Sequence, residues 1–391
     1  MATETVPDPP ALREARRERV FTAMAEHDLD VLVLGRVANI RYASGVPILW
    51  NAGTRPFGPG CVVVRETREL FVLSTWDEGV PAEIPHDHLY GITWNPMNFV
   101  TLLQAISRDS IGQDSSVGRP RVGTDALSPL FAQLLPMAFP DSEIVDGAPA
   151  LRQARRIKTT DEVDALRIAI GVADAAMAAA LGELRPGVSE RELTGVFMDA
   201  MASHGVTTPA TQDVVRVVSP GARRGTGDGR IRAGDLVSFD AGVVAGGYFG
   251  AVGRTWPVGP DGVDAGTTPA VGDLHRRWND LWHRLVDACT PGAPASGLLE
   301  AYHAAGEPLP LTPIGTGLGL GFDDPVVTGQ LPRTAAAERL DPGVVLVVTA
   351  AVIDDTAGSI VTREPVLITP DGPELLSRSP FWNLEPVGAH R

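Results

Sequence analysis

The sequence predicts an α+β protein of two domains, a small α/β domain followed by a larger domain built on a mainly antiparallel sheet. Three observations lead to this prediction. The chain has 391 residues, of which 44% are hydrophobic, enough to fill two cores. Helix and strand patterns alternate before residue 150, and strand patterns dominate after residue 210. A new helix start follows a Pro- and Gly-containing stretch, which places the domains at residues 1–155 and 156–391.

The first domain opens with an amphipathic helix over residues 11–28. Its apolar positions recur at helical spacing, and its basic face consists of Arg13, Arg16, Arg17 and Arg19. Short apolar runs predict strands at residues 30–35, 60–66, 69–74 and 121–127. This alternation of helix and strand is typical of a small α/β domain.

The second domain begins with a long helix. Thr159 and Glu162 form a predicted capping box, in which each residue satisfies a backbone N–H of the other. A second box, Ser189 and Glu192, predicts the start of the next helix. The inward stripe of the long helix consists of Val163, Leu166, Ile170, Ala173, Met177 and Leu184.

Strand patterns dominate the rest of the chain. They lie at residues 214–219, 236–243, 247–259, 343–352 and 359–369, with helices predicted near 268–290 and 296–306. The stretch VSFDAGVVAGGYFGAVGRTW, residues 237–256, predicts a hairpin that carries a single carboxylate, Asp240. A mainly antiparallel sheet follows from these patterns.

The charge and the cysteine count exclude several function classes. The formal net charge of -15 repels phosphate backbones and anionic membranes, so we expect no nucleic-acid or membrane partner. The two cysteines, Cys61 and Cys289, have neither disulfide-framework nor metal-site spacing. The first residues lack the pattern of a signal peptide, and no apolar run of about 18 residues occurs. We therefore expect a cytoplasmic protein.

Ordered segments along the chain resemble the pita-bread family, which includes creatinase, prolidase, the Xaa-Pro aminopeptidases and methionine aminopeptidase. They include MAEHDLDVLVLGRVANIRYASG, LRQARRIKTTDEVDALRIA, RPGVSERELTGVFMDAM, IRAGDLVSFDAG, GGYFGAVGRTW, IGTGLGLGFDDP and REPVLITPDGPELLS. The resemblance covers almost the whole chain. It implies a creatinase-type N-terminal domain, a C-terminal pita-bread domain and a homodimer.

In the metal-dependent members of this family, two Asp, one His and two Glu hold a pair of divalent ions that activate a water. The matching positions in this chain hold Asp240, Ala251, Thr316, Ala350-Ala351 and Arg363. A one-residue slip would place Glu364 at the last position, but the ungapped alignment favours Arg363. At most two of the five ligand positions keep a residue that can bind a metal. Because of this departure from the family pattern, we expect neither a metal nor another cofactor.

The resemblance to creatinase implies a second kind of active site within the family. This site works without metal and depends on a histidine before the first Asp-bearing strand. The corresponding loop here, SPGARRGTGDGR at residues 219–230, contains no histidine. This chain therefore differs from both patterns.

Four residues are candidates for chemistry. Asp240 is either a general base or a remnant carboxylate held by Arg363, and Arg363 could instead anchor a substrate carboxylate through its planar fork. Asp323 either caps a turn or lines the cleft. Tyr248 either packs at the hairpin or takes part in catalysis.

Six further residues are candidates for substrate binding. The resemblance to creatinase-like members implies that a Phe and an Arg of one N-terminal domain reach the partner's cleft. The candidates are Arg55, Phe57, Arg223, Arg224, Thr316 and Trp50, with Trp94 as a further aromatic wall. Arg223 and Arg224 are alternatively plain surface charges, and large aromatic residues in loops often only pack.

The leading prediction is a metal-independent enzyme with a creatinase/prolidase-like cleft. Its substrate would be a small polar molecule with a carboxylate or amide, and its reaction C–N hydrolysis or related acid–base chemistry. One alternative is a non-catalytic relative that binds a ligand or peptide, and another is a Xaa-Pro peptidase with an altered metal site. Converging titratable groups in the cleft favour an enzyme, whereas an apolar filling of the old site favours a scaffold.

Overall fold

The structure is a computed structural model that describes residues 8–46, 60–74, 77, 79–91, 95–110, 119–125, 128–211, 214–220, 229–263, 268–330 and 338–382. The chain divides into two compact units between Arg156 and Ile157. Sequence analysis places the domain boundary near residue 155. The first unit is Asp8–Arg156, and the second contains the residues from Ile157 onward.

The first unit is a mixed sheet with helices. Its helices are α1 (Pro10–Glu26), α2 (Val37–Ser44), α3 (Pro96–Ser110), α4 (Pro129–Ala138) and α5 (Ala148–Arg156). Its strands are β1 (Val31–Leu34), β2 (Cys61–Val64), β3 (Leu70–Leu73), β4 (Leu89–Tyr90), β5 (Arg121–Thr124) and β6 (Glu143–Asp146). The sheet order is β4-β3-β2-β1-β5-β6, in which β1 pairs antiparallel with β2 and parallel with β5.

The basic face predicted for α1 is wrong at one position. Arg16 is fully buried, and its Nη2 donates to Asp8 Oδ2 at 2.5 Å. A buried guanidinium needs a counter-charge, and Asp8 provides it. Arg16 therefore belongs to the core of the unit and not to a solvated face.

The second unit contains a large antiparallel sheet and long helices. Its helices are α6 (Thr160–Gly182), α7 (Glu190–Ser203), α8 (Pro269–Ala288) and α9 (Gly297–Ala305). Its strands are β7 (Val215–Val217), β8 (Leu236–Ala245), β9 (Tyr248–Pro257), β10 (Gly315–Leu318), β11 (Phe322–Val327), β12 (Val345–Asp354), β13 (Gly358–Thr369) and β14 (Gly372–Leu375). The order is β11-β10-β12-β13-β9-β8-β7, with β14 on β13, and the pairings are antiparallel.

Helix α6 packs on the sheet beside β8 and β9. Both predicted capping boxes are present, at Thr159 with Glu162 and at Ser189 with Glu192. The predicted inward stripe is buried. A Cβ at Gly250 of β9 would lie 2.3 Å from the carbonyl oxygen of Ala169, so glycine permits this close approach.

By length and composition, α6 is also apolar enough to cross a membrane. This is weak evidence, because the core helix of a globular domain meets the same criteria. In the structure, the apolar stripe of α6 is buried against the sheet, which is the packing of a core helix.

Candidate functional site

Four residues on neighbouring strands form one row across the sheet. Asp240 on β8 lies opposite Gly253 on β9, and Gly253 lies opposite Arg363 on β13. Arg363 in turn lies opposite Thr349 on β12. Directly opposed residues of adjacent strands project to the same face of a sheet. We call this the site face.

An ion pair spans the row. Arg363 Nη1 donates a hydrogen bond to Asp240 Oδ1, and the two side chains are 23% and 37% exposed. The two residues lie on strands separated by β9, about 10 Å apart in the sheet. The long guanidinium side chain bridges that gap.

Gly253 makes this bridge possible. A Cβ at position 253 would lie 2.9 Å from Arg363 Cβ, a distance that Cβ atoms in proteins essentially never show, and 3.1 Å from Arg363 Cγ, which is tighter than most Cβ contacts. The missing side chain leaves a channel across β9 through which the Arg363 side chain reaches Asp240. Gly253 and Arg363 therefore work as a matched pair.

The opposite face of the same strands carries a second, deeply buried ion pair. Glu364 is 0% exposed in its side chain and lies 2.5 Å from Nη2 of Arg254, which is 1% exposed. Successive residues of a strand point to opposite faces. Arg363, and not Glu364, therefore faces Asp240, as predicted.

The other positions of the resemblance carry no metal ligand. Ala251 and Ala351 are buried alanines, and Thr316 on β10 is half-buried opposite Val347 of β12. Within the described ranges, no group of three or more His, Cys, Asp or Glu residues is placed to hold a metal ion. One carboxylate already paired with an arginine does not fit a pair of divalent cations, which need several anionic oxygens or imidazoles.

Tyr302 supports the site from α9, and the sequence analysis missed it. Its hydroxyl donates to the carbonyl oxygen of Thr349 at 3.0 Å and accepts from the N–H of Ala351 at 2.9 Å. Burial raises the pKa of the Tyr302 phenol, which keeps it protonated as a donor. The hydroxyl therefore fixes the backbone of β12 beside the site row.

Tyr248 does not join the site row. It is 1% exposed, and its hydroxyl lies 3.3 Å from Glu162 Oε1. It pairs with Ala245 at the turn of the hairpin, five residues along β9 from Gly253, a separation of about 16 Å. Of the two roles considered for Tyr248, the structure therefore favours packing at the hairpin over catalysis.

Asp323 is also held elsewhere. Lys158 Nζ lies 2.9 Å from Asp323 Oδ2, and the two side chains are 1% and 5% exposed. A buried ammonium requires an anionic partner, so this pair has a structural explanation. The assignment of Asp323 to catalysis is corrected to this buried pair.

Most of the predicted substrate-binding residues lie outside the described residues. These are Trp50, Arg55, Phe57, Arg223 and Arg224, together with Trp94. Their roles stay predictions. Thr316 is described, and its pairing with Val347 places it on the site face, because residues 347 and 349 share a face of β12. Its role in binding also stays a prediction.

Comparison with known families identifies the fold. The family model of Metallopeptidase family M24 matches residues 164–370, just over half of the 391 residues. This chain belongs to the M24 peptidase family. The model of the Creatinase/Prolidase N-terminal domain matches residues 16–157 of this M24 member. The predicted combination of a creatinase-type domain and a pita-bread domain is therefore confirmed.

Curated relatives of this M24 chain are distant. The uncharacterized peptidase YqhT of Bacillus subtilis is 26% identical over 61% of this chain and 67% of its own length. Creatinase of a Bacillus species is 24% identical over 61% of this chain and 59% of its own length. Xaa-Pro dipeptidase of Pyrococcus horikoshii is 25% identical over 93% of this chain and 96% of its own length.

Solved structures support the same fold. Xaa-Pro dipeptidase from Bacillus anthracis aligns with a TM-score of 0.74 at 18% identity, over 95% of this M24 chain and 99% of that structure. The prolidase from Pyrococcus horikoshii aligns with a TM-score of 0.73 at 19% identity, over 94% and 99% of the two chains. At this identity the likeness shows the fold alone.

Proposed function

We propose that this protein is a metal-independent member of the creatinase/prolidase family that binds a small polar molecule with a carboxylate or amide group at Arg363 and Asp240. The observation that carries the proposal is the ion pair on the site face. It occupies the position at which the family resemblance implies a metal pair. A guanidinium in that position provides a fixed positive charge without any ion from solution.

The pair retains hydrogen-bonding capacity for a ligand. Only one guanidinium nitrogen of Arg363, Nη1, donates to a described residue, and a guanidinium carries five N–H donors in a planar fork. That fork matches a carboxylate or an amide carbonyl. Asp240 binds Arg363 through Oδ1, which leaves Oδ2 to accept an N–H from an amide or an ammonium. A ligand that carries a carboxylate or carbonyl oxygen next to an amide or ammonium N–H can therefore bind Arg363 and Asp240 together.

Metal-assisted hydrolysis needs a bound cation that polarises the amide carbonyl and ionises a water. The alanines at positions 251 and 351 and the ion pair of Asp240 remove the donors for such a cation. We therefore propose binding without metal-activated hydrolysis as the primary activity.

One observation favours a second candidate, which is acid–base catalysis on the bound molecule. Asp240 is partly exposed, and its Oδ2 accepts no hydrogen bond from a described residue, so it can reach a ligand proton. Such a step would lead to C–N hydrolysis or a related proton transfer. Asp240 Oδ1 is nevertheless already hydrogen-bonded by the Arg363 guanidinium, so this oxygen is not free to accept a proton from the ligand. Binding is therefore the preferred proposal.

Two expectations from the sequence stay proposals. The protein is proposed to be cytoplasmic, on its acidic charge and its two widely spaced cysteines. It is also proposed to form a homodimer, on its membership of the family alone. Neither is needed for the ligand to contact Arg363.

A dipeptide assay tests the proposal. The dipeptide Ala-Pro carries an ammonium, an amide and a carboxylate, and it should not release proline with this protein, with or without manganese, because no activated hydroxide forms. In the presence of a chelator, a calorimetric screen of short carboxylates, amides and dipeptides should identify ligands that bind. For such a ligand, Arg363→Lys should weaken binding about tenfold or more, because the planar fork is lost.

The matched control is Arg284→Lys on α8, where Arg284 forms an exposed pair with Asp280. It should leave binding unchanged. Manganese-stimulated proline release that is abolished by Asp240→Asn would instead establish the Xaa-Pro peptidase with an altered metal site. Metal-free turnover that is abolished by the same change would establish the second candidate.

A further inference from the structure

The chain crosses the back of the sheet directly behind the site row. Residues 376–382, which we call the strap, have no regular secondary structure and follow β14. They lie against the face opposite the site face, where Arg254 and Glu364 form their buried pair. Arg254 follows Gly253 on β9, and Glu364 follows Arg363 on β13. The strap therefore contacts the two residues that directly follow Gly253 and Arg363 of the site row.

Glu364 fixes the start of the strap. Its Oε1 accepts the N–H of Ser377 at 3.0 Å, and its Oε2 accepts the Ser377 hydroxyl at 2.7 Å. The carboxylate is fully buried, so these bonds replace the water that it loses. Asp174 of α6 holds the next residues through the N–H of Arg378 at 2.7 Å and the hydroxyl of Ser379 at 2.5 Å.

Aromatic contacts fix the far end of the strap. The Arg254 guanidinium stacks over the ring of Phe381, 4.1 Å from the ring centroid. The ring of Trp282 packs on Phe381 as well, at 5.3 Å between centroids. His275 Nε2 lies 2.9 Å from the carbonyl oxygen of Trp382, and burial lowers the pKa of this histidine.

Arg254 connects the strap to the site strands. Its Nη1 donates to the carbonyl oxygens of Gly253 at 2.8 Å and Arg363 at 3.1 Å. Its Nη2 donates to the hydroxyl of Ser377 at 2.7 Å and to the carbonyl oxygen of Ser379 at 3.1 Å. One guanidinium thus binds the backbones of Gly253 and Arg363 in the site row, and the Ser377 hydroxyl and the Ser379 backbone in the strap.

We propose that the strap sets the position of Arg363 from the opposite face of the sheet, with Arg254 as the positioning residue between them. When the strap is held, Arg254 fixes the main chain at Gly253 and Arg363, so the Arg363 side chain leaves β13 at the angle that reaches Asp240. Loosening the strap weakens the ion pair on the other face. The inference concerns the geometry of the pair and holds for any ligand that the pair takes.

A double-mutant cycle tests this coupling in the full-length protein. Asp174→Asn loosens the strap, and Asp240→Asn removes the site carboxylate. The two residues lie on opposite sides of the sheet and do not contact each other directly. If the strap positions Arg363, the loss of urea midpoint in the double variant should be smaller than the sum of the two single losses. Ser379→Ala replaces Asp174→Asn in a second cycle, so that poor folding of one variant does not end the test.

Hydrogen–deuterium exchange gives the second readout. In Asp174→Asn, amide exchange should rise in the strap and also in the peptides that cover Gly253 and Arg363. The matched control is Asp280→Asn, an exposed ion-pair variant on α8, which should be additive with Asp240→Asn and leave β9 and β13 unchanged. Additive losses in both cycles, with faster exchange confined to the strap, would show that the strap is only structural and would overturn the inference.

Discussion

Replacing Arg254 by methionine should lower the free energy of unfolding by about 3–5 kcal/mol, the cost of breaking a buried ion pair on one side. The change leaves the fully buried Glu364 carboxylate with hydrogen bonds from Ser377 alone among the described residues. It also removes the donors to the carbonyl oxygens of Gly253 and Arg363. Urea denaturation followed by fluorescence and circular dichroism measures the loss.

The double variant Arg254→Met with Glu364→Gln should recover part of that loss, because it removes the stranded charge as well. The control is Arg276→Met, where Arg276 forms an exposed pair with Asp273 on α8, and it should cost less than about 1 kcal/mol. If Arg254→Met were no more destabilising than this control, the description of Arg254 as a central buried cation would be incorrect.

Replacing Arg363 by methionine should lower the free energy of unfolding by about 1–3 kcal/mol, between the values for exposed and buried pairs. The reason is the partial exposure of the pair, since Arg363 and Asp240 are 23% and 37% exposed. Water can solvate part of the stranded Asp240 carboxylate, which limits the loss. Calorimetric and urea unfolding measure it.

Asp240→Asn combined with Arg363→Met should restore part of the stability, because no unpaired carboxylate remains on the site face. Gly253→Ala provides a steric counterpart, since its Cβ would lie 3.1 Å from Arg363 Cγ, which Arg363→Ala removes, and 2.9 Å from Arg363 Cβ, which Arg363→Ala keeps. That variant should destabilise wild-type protein more than it destabilises Arg363→Ala, because the latter lacks the Cγ contact. Equal effects in both backgrounds would contradict the claim that Gly253 opens the channel for Arg363.

Much of the fold follows from local signals in the sequence. The capping boxes at Thr159 and Ser189 and the apolar stripe of α6 depend on residues a few positions apart, so the sequence analysis finds them. Helix α2 has no such signal. Its N-cap residue Arg36 has no side-chain cap, and the N–H groups of Gly35 and Arg36 donate to Asp125, which is distant in sequence. Such a cap is visible only in the folded chain.

Strands β10 and β11 were missed for a similar reason. Strand β10 has the sequence GTGL, and glycine has low intrinsic preference for strands. It is a strand because its backbone pairs with β11 on one side and β12 on the other. Tertiary pairing determines this element, and the sequence pattern does not reveal it.

The site was partly predictable. Alignment with the family pattern places Arg363 at a ligand position, and the alternation of strand faces then puts it beside Asp240. The roles of Asp323 and Tyr248 depend on Lys158 and Glu162, which lie far away along the chain, so the sequence could not exclude a catalytic role for either. Arg254 and Tyr302 act on backbone atoms of the site strands, and such contacts leave no motif.

Elemental analysis of the purified protein tests most directly the central claim that Arg363 replaces a metal in this family member. Protein purified without chelator, and protein incubated with manganese and then desalted, should contain no stoichiometric Mn, Zn, Fe or Co. A chelator should then leave its thermal midpoint unchanged, because no ligand of the native state is removed. One or two such ions per chain, with a midpoint that falls on chelation, would contradict the account.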